Sequence, residues 1–321
     1  MRSAGFQRAS LNRLATPPAA QVSGLCSASG DAAKSNTLDN RVRTRFIIRM
    51  ARTIRLPGLV DLILFALLLP RTSDGATLAG QPVQGGGTVE IRFPVAKYFQ
   101  DIAAQAGNPR VETGRAVLAF PSGFDPGRAW PVLVVTSTSD FDRTSAMDVE
   151  WYRPPATAEG WVVLGSDAKV KPRIDSTQWR LGMLAAALEA MRKDWPQSAR
   201  WPLAFAGFSG GSKRSGALGA MLAKTGSVRI CGFFLSGINE DRLGEAYKTY
   251  QPGKGLLEVP VWLSSGGRDI VATPQNHALV KASLERTGFK HVRLEQFSGQ
   301  HQLRMSEVRR ALRWFRELGK F

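Results

Sequence analysis

From residue 80 to the last residue, short apolar runs of strand length alternate with longer stretches of helical periodicity. A run with no polar break must be buried on both faces, and a parallel neighbour is reached only through a crossover. The alternation therefore predicts βα units and an α/β fold, a mostly parallel central sheet with helices on both faces. The runs are Pro131–Val135, Trp161–Gly165, Leu203–Ala206, Ile230–Leu235 and Val261–Leu263, and Val292–Phe297 continues the strand series. The start differs: Thr88–Phe93 alternates in polarity, and Ala116–Phe120 runs into the turn-rich PSGFDPG, which predicts early, partly antiparallel strands. Ser176–Lys193 places Leu181, Leu184, Ala185, Leu188 and Met191 on one helix face, with Asp175 or Ser176 as N-cap. Further helices are expected near 212–224, 274–287 and 303–318. No repeat, low-complexity tract or long polar linker divides residues 80–321, so they read as one domain.

The amino-terminal part reads differently. Residues 1–49 lack apolar periodicity and hold only Asp31 and Asp39 as acids, the composition of an unstructured leader. Arg49, Arg52 and Arg55 then precede the short apolar run Leu56–Leu69 and the small residues Ser73–Gly80, the order of an export signal over residues 50–79. Broken by Asp61, that run is too short for a membrane span of about 20 apolar residues, so no stable anchor is expected. Secretion or export to a periplasm follows, with Ala76 and Ala79 as candidate last residues of the signal. Met50 stands directly before the pattern and is a natural start, which would leave residues 1–49 outside the protein. The same Arg- and Ser-rich leader also suits an organellar transit peptide.

Charge alone invites a polyanion partner, with 43 basic against 26 acidic residues and a net +17. Eleven basic and four acidic residues fall within 1–79, leaving 32 against 22 spread over the rest. Without an arginine-aromatic stripe or a nucleic-acid motif, this is a soluble surface, and no nucleic-acid partner is expected. Two cysteines, Cys26 and Cys231, exclude a disulfide scaffold and a cysteine-built zinc site. Cys231, within an apolar run, reads as a buried small hydrophobe.

The sharpest chemical signal follows the Leu203–Ala206 run. Gly207-Phe208-Ser209-Gly210-Gly211 is a GxSxG pattern, succeeded by the small-residue stretch SKRSGALGAMLA. A serine on a tight strand-to-helix turn has strained backbone angles, and Gly207 and Gly211 are residues such a turn accommodates. The turn lifts Oγ clear of the sheet and aims the Gly210 N–H outward at a helix N-terminus, where negative charge is favoured.

With these residues the chain resembles the α/β-hydrolase superfamily, over nearly all of residues 88–321. The resemblance implies a nucleophile, then an acid after a late strand, then a histidine after the last strand. The loop Ser264–Pro274 resembles the family's strand-GxxD loop and puts Asp269 at the acid position. Ser298-Gly-Gln-His301 stands where the family carries its histidine. Of the other histidines, His277 and His291 are expected on solvated faces. Glu240 and Asp241, one strand earlier, compete for the acid position. Where the family has a His-Gly stretch after its third strand, this chain has Thr136-Ser-Thr-Ser-Asp140. Thr138 or Ser139 remains a candidate second oxyanion donor by its backbone N–H, Thr138 also by its hydroxyl.

The resemblance implies a serine hydrolase of carboxylic esters, with Ser209, Asp269 and His301 as triad and Gly210 and Thr138 at the oxyanion, needing no metal or cofactor. Too few residues separate Ser236 from Pro260 for a large cap domain. An uncapped exported hydrolase suits small or polymeric esters, like the polyester depolymerases and feruloyl esterases it resembles by analogy, with Trp151, Tyr152 and Trp179 as candidate mouth residues. A prolyl-oligopeptidase-like serine peptidase and a non-catalytic hydrolase-fold binding protein are the alternatives.

Overall fold

The computed structural model describes residues 75–105, 107–138, 144–168, 174 and 176–321. The expected leader, nearly all of the signal region, Cys26, Ser139, Asp140 and Asp175 lie outside the described residues. The described residues cluster as one compact unit.

A two-residue hairpin, β1 (Thr77–Leu78) with β2 (Gln81–Pro82), precedes the main strands. These are β3 (Thr88–Pro94), β4 (Thr113–Ala119), β5 (Val132–Thr136), β6 (Val162–Ala168), β7 (Leu203–Phe208), β8 (Ile230–Ser236), β9 (Val261–Gly266) and β10 (Val292–Phe297). They form one eight-stranded sheet in the order β10-β9-β8-β7-β5-β6-β4-β3. β4 runs antiparallel to both its neighbours, and every other pair is parallel. From β5 the chain goes first to one side, to β6, and then to the other, to β7. A crevice opens at the carboxyl ends of strands where the order reverses in this way.

The helices are α1 (Lys97–Gln105), α2 (Ser145–Ala158), α3 (Thr177–Asp194), α4 (Gly210–Lys224), α5 (Arg242–Tyr250), α6 (Pro274–Thr287) and α7 (Met305–Gly319). The pleat divides each strand between two cores. Val132, Val134, Leu203 and Phe205 face α3 to α6 together with Met183, Leu218, Leu243 and Leu284. Leu133, Val135, Ala204 and Ala206 face α2 and α7 with Val149, Tyr152, Leu312 and Phe315. Burial on both faces is why the runs in β5 to β9 lack polar breaks.

Some expectations shift. On α3, Leu181 and Ala185 are half-buried while Trp179, Met183, Ala186 and Ala187 are buried, because the helix packs on the sheet, α1 and α4 together. Ser176 is its N-cap, its Oγ accepting from the Trp179 N–H at 3.1 Å. Tyr152 and Trp179 are core residues, 1% and 2% exposed, so of the three candidate mouth aromatics Trp151 alone reaches the surface. Residues 237–260 hold only α5 and a 3-10 turn, Lys254–Glu258, so no cap is inserted there.

Candidate active site

Ser209 sits between the end of β7 and the first residue of α4 with φ 57° and ψ −125°. An L-residue held there costs on the order of 1–3 kcal/mol and persists only where its surroundings over-determine it. They do so here. The Ser209 N–H donates to the Ser236 carbonyl at 2.8 Å, and the Ser209 carbonyl accepts from the N–H and Oγ of Ser212 at 3.0 and 2.5 Å. A Cβ on Gly207 would lie 2.2 Å from the Gly211 carbonyl atoms, and one on Gly211 would lie 2.2 Å from the Thr136 oxygen. Glycine at both places lets α4 start against β5. Two hydroxyls bolt the start of α4 to the sheet: Thr136 Oγ1 of β5 donates to the Gly211 carbonyl at 2.8 Å and Ser215 Oγ to the Ala206 carbonyl of β7 at 2.7 Å.

β7, β9 and β10 are parallel, so their carboxyl ends share one rim, and the loops after them meet there. His301, in the loop after β10, has Nε2 3.0 Å from Ser209 Oγ and Nδ1 2.7 Å from Asp269 Oδ2. The other oxygen of Asp269, Oδ1, accepts the N–H groups of Val271 and Ala272, each at 2.8 Å. An ionised carboxylate only accepts, so Nδ1 carries the imidazole proton and the Nε2 lone pair faces the serine hydroxyl. Burial is the strongest single influence on Asp269 and opposes its ionisation. The His301 hydrogen bond and the two backbone N–H groups outweigh it and hold the carboxyl below its ordinary value. The imidazole packs against Phe208, ring centroids 4.7 Å apart, and against Gly237, where a Cβ would come within 3.0 Å of Cε1.

The rival acids are engaged elsewhere. Glu240 pairs with Lys213 at 3.5 Å and Arg242 at 2.8 Å. Asp241 caps α5, accepting the Gly244 N–H at 2.7 Å, and burial raises its carboxyl above the ordinary value. His277 is a correction: it is not on a solvated face but fully buried. Its Nε2 accepts the Ile238 N–H at 3.1 Å while Nδ1 lies 3.1 Å from the Thr273 carbonyl, which ties α6 to the loop after β8. Burial lowers its pKa below the histidine norm.

Gly210 opens α4 beside the serine. Thr138 is half-buried two residues beyond β5, its carbonyl accepting from Arg180 Nη2 at 3.1 Å, and Arg180 Nη1 donates to Ser137 Oγ at 2.8 Å. Sequence reasoning passed over Arg180, Phe208 and Gly237. A cation set beside Trp179 in an otherwise apolar helix face was the available signal for the first. A cavity of about 450 Å³ opens beside Gly210 between α4 and α5, walled by Lys213, Arg214, Glu240, Arg242 and Tyr250. Among the described residues, no group of three or more His, Cys, Asp or Glu is arranged to hold a metal. Cys231 is buried in β8, and burial pushes its thiol far up. No helix among the described residues is long and apolar enough to cross a membrane.

No family model matches the sequence, and no curated protein matches it. Solved structures do. A hyperthermophilic esterase from the archaeon Pyrobaculum calidifontis is similar with a TM-score of 0.51 at 14% identity, over 88% of this chain and 99% of its own. A thermostable carboxylesterase cloned from a metagenomic library is similar with a TM-score of 0.50 at 15% identity, over 74% of this chain and 91% of its own.

Proposed function

We propose that this chain, an α/β-hydrolase by fold, cleaves carboxylic esters through an acyl-enzyme, with Ser209 as nucleophile, His301 as base and then acid, and Asp269 orienting the imidazole. The observation that carries the reading is the unbroken relay from Ser209 Oγ to His301 Nε2 at 3.0 Å and from His301 Nδ1 to Asp269 at 2.7 Å. As Oγ bonds the acyl carbon its proton passes to Nε2, and the carbonyl oxygen becomes an oxyanion facing the N–H groups of Gly210 and Thr138. The imidazolium then protonates the leaving alcohol oxygen. Water repeats the sequence and releases the acid and free Ser209. The esterase names of the fold's solved relatives support ester over amide substrates. The order of charged, apolar and small residues ahead of the domain supports an exported protein meeting small or polymeric esters outside the cytoplasm.

A fluorophosphonate should label Ser209 alone, and short-chain p-nitrophenyl esters should turn over. Ser209→Ala and His301→Ala should each abolish both, with the double variant scarcely worse, because the groups act as one unit. Folded wild-type protein that neither labels nor turns over any activated ester would make the serine turn architectural only. Faster cleavage of amides than of matched esters would favour a peptidase.

A further inference from the structure

We infer that Arg180 is a positioning residue for the oxyanion site, its guanidinium holding the Ser137–Thr138 peptide so that the Thr138 N–H faces the developing negative charge. This rests on the ester-hydrolase reading above. One planar group grips both ends of the segment: Nη1 donates to Ser137 Oγ at 2.8 Å and Nη2 to the Thr138 carbonyl at 3.1 Å. The same segment also lies against the start of α4. A Cβ on Gly211, two residues from the nucleophile, would come 3.1 Å from the Ser137 carbonyl carbon and 2.2 Å from the Thr136 oxygen. The segment is thus held both by the helix that starts after Ser209 and by a fork reaching over from α3.

The chemistry needs such a support. Oxyanion donors act by being aimed in advance, so any freedom to turn is paid for in the transition state. The segment itself is Thr136-Ser137-Thr138, whose backbone must be directed by its partners. Lysine is a point charge on a flexible stem, whereas the arginine fork engages two acceptors at a fixed separation. The backbone that carries the fork is fixed, because the first turn of α3 is capped by Ser176 through the Trp179 N–H at 3.1 Å and the Arg180 N–H meets the Ser176 carbonyl at 3.2 Å.

Losing an oxyanion donor outright lowers kcat by about 10²–10³, and a donor left in place but unaimed loses less. Arg180→Met is therefore expected to lower kcat for p-nitrophenyl butyrate by roughly tenfold to a hundredfold with KM within about threefold, since the ground-state carbonyl makes little use of that donor. The Ki of a trifluoromethyl ketone, whose adduct with serine carries an oxyanion, should weaken by the same factor. Arg180→Lys should recover part of the loss. If Arg180→Met does not fold, Ser137→Ala removes one of the two grips and should still lower kcat severalfold with KM held. An active wild type whose folded Arg180 or Ser137 variants match it in kcat overturns this inference alone, as does a loss that falls on KM. A wild type inert to fluorophosphonate and to every ester overturns the hydrolase reading, and this inference with it.

Discussion

Asp269→Asn tests the relay most sharply, and the structure dictates how the asparagine must sit. Oδ1 accepts the N–H groups of Val271 and Ala272, both at 2.8 Å, in a position 3% exposed. An amide nitrogen there would leave two backbone donors facing a donor, at about 1–3 kcal/mol for each buried group stranded. The side-chain oxygen therefore keeps that place, and the NH2 points at His301 Nδ1. Imidazole answers by presenting its Nδ1 lone pair and moving its proton to Nε2, which then has nothing with which to accept the Ser209 proton. The variant folds with its hydrogen bonds satisfied but in the wrong tautomer, a change that costs about 10⁴ in kcat in serine triads. The assay is kcat and KM on p-nitrophenyl butyrate near neutral pH beside a melting curve. We expect kcat down by about 10³–10⁴, KM near wild type and a Tm within a few degrees. Activity within tenfold of wild type refutes the reasoning. Asp241→Asn is the control: asparagine caps a helix as well as aspartate does, so that variant should stay active.

Three more outcomes follow from other parts of the molecule. Gly207→Ala drives a Cβ to within 2.2 Å of the Gly211 backbone, an overpacking that costs about 1–3 kcal/mol or more; soluble yield or activity should collapse, and a stable, active variant would show the elbow to be looser than described. His277 is buried neutral with its pKa lowered, so the unfolded chain takes up its proton first and stability falls as pH drops below the ordinary histidine value of about 6.5. Melting of His277→Gln should depend less on pH between about 5 and 7, and an unchanged slope would assign the acid loss to other groups. At the amino terminus, Leu78 is fully buried and the Ala79 N–H meets Asp194 at 2.5 Å. Sequencing of exported protein should therefore find Thr77 first, and a start at Gly80 or beyond, or retention of residues 1–49, would contradict this.

What could be read from the sequence depended on how local each cause was. β5 to β9 were visible because burial on both faces leaves apolar runs, β10 was legible only as a short strand-length stretch with polar residues in it, and the loops of Ser209, Asp269 and His301 were found by their position after these strands. α2 was not visible: Val149, Tyr152 and Ala156 have helical spacing, but Pro154 and Pro155 in the same stretch argue against a helix. α5 was hidden by its shortness and its charges. His277 was misjudged because its reason for burial, the Ile238 N–H, lies 39 residues away. Arg180 was passed over for the same reason, its acceptors being 42 and 43 residues distant. Sequence periodicity reports what a residue packs on. It is silent about which remote polar atom a side chain will meet.

β10 is one of the two edge strands of the sheet, paired on one side, and none of its residues is fully buried, whereas β7 and β9 are interior. His301 hangs from this margin while Ser209 and Asp269 are anchored further in. Edges open locally before a domain melts as a whole, so the machinery is fastened at its most easily loosened point. Warming should silence the protein reversibly while its circular dichroism is still intact. Amide exchange along residues 292–301 should then track lost turnover, and α7, tied to that margin by Arg310 Nη2 donating to Glu295 at 2.9 Å, becomes a lever on thermal endurance that touches no reacting atom.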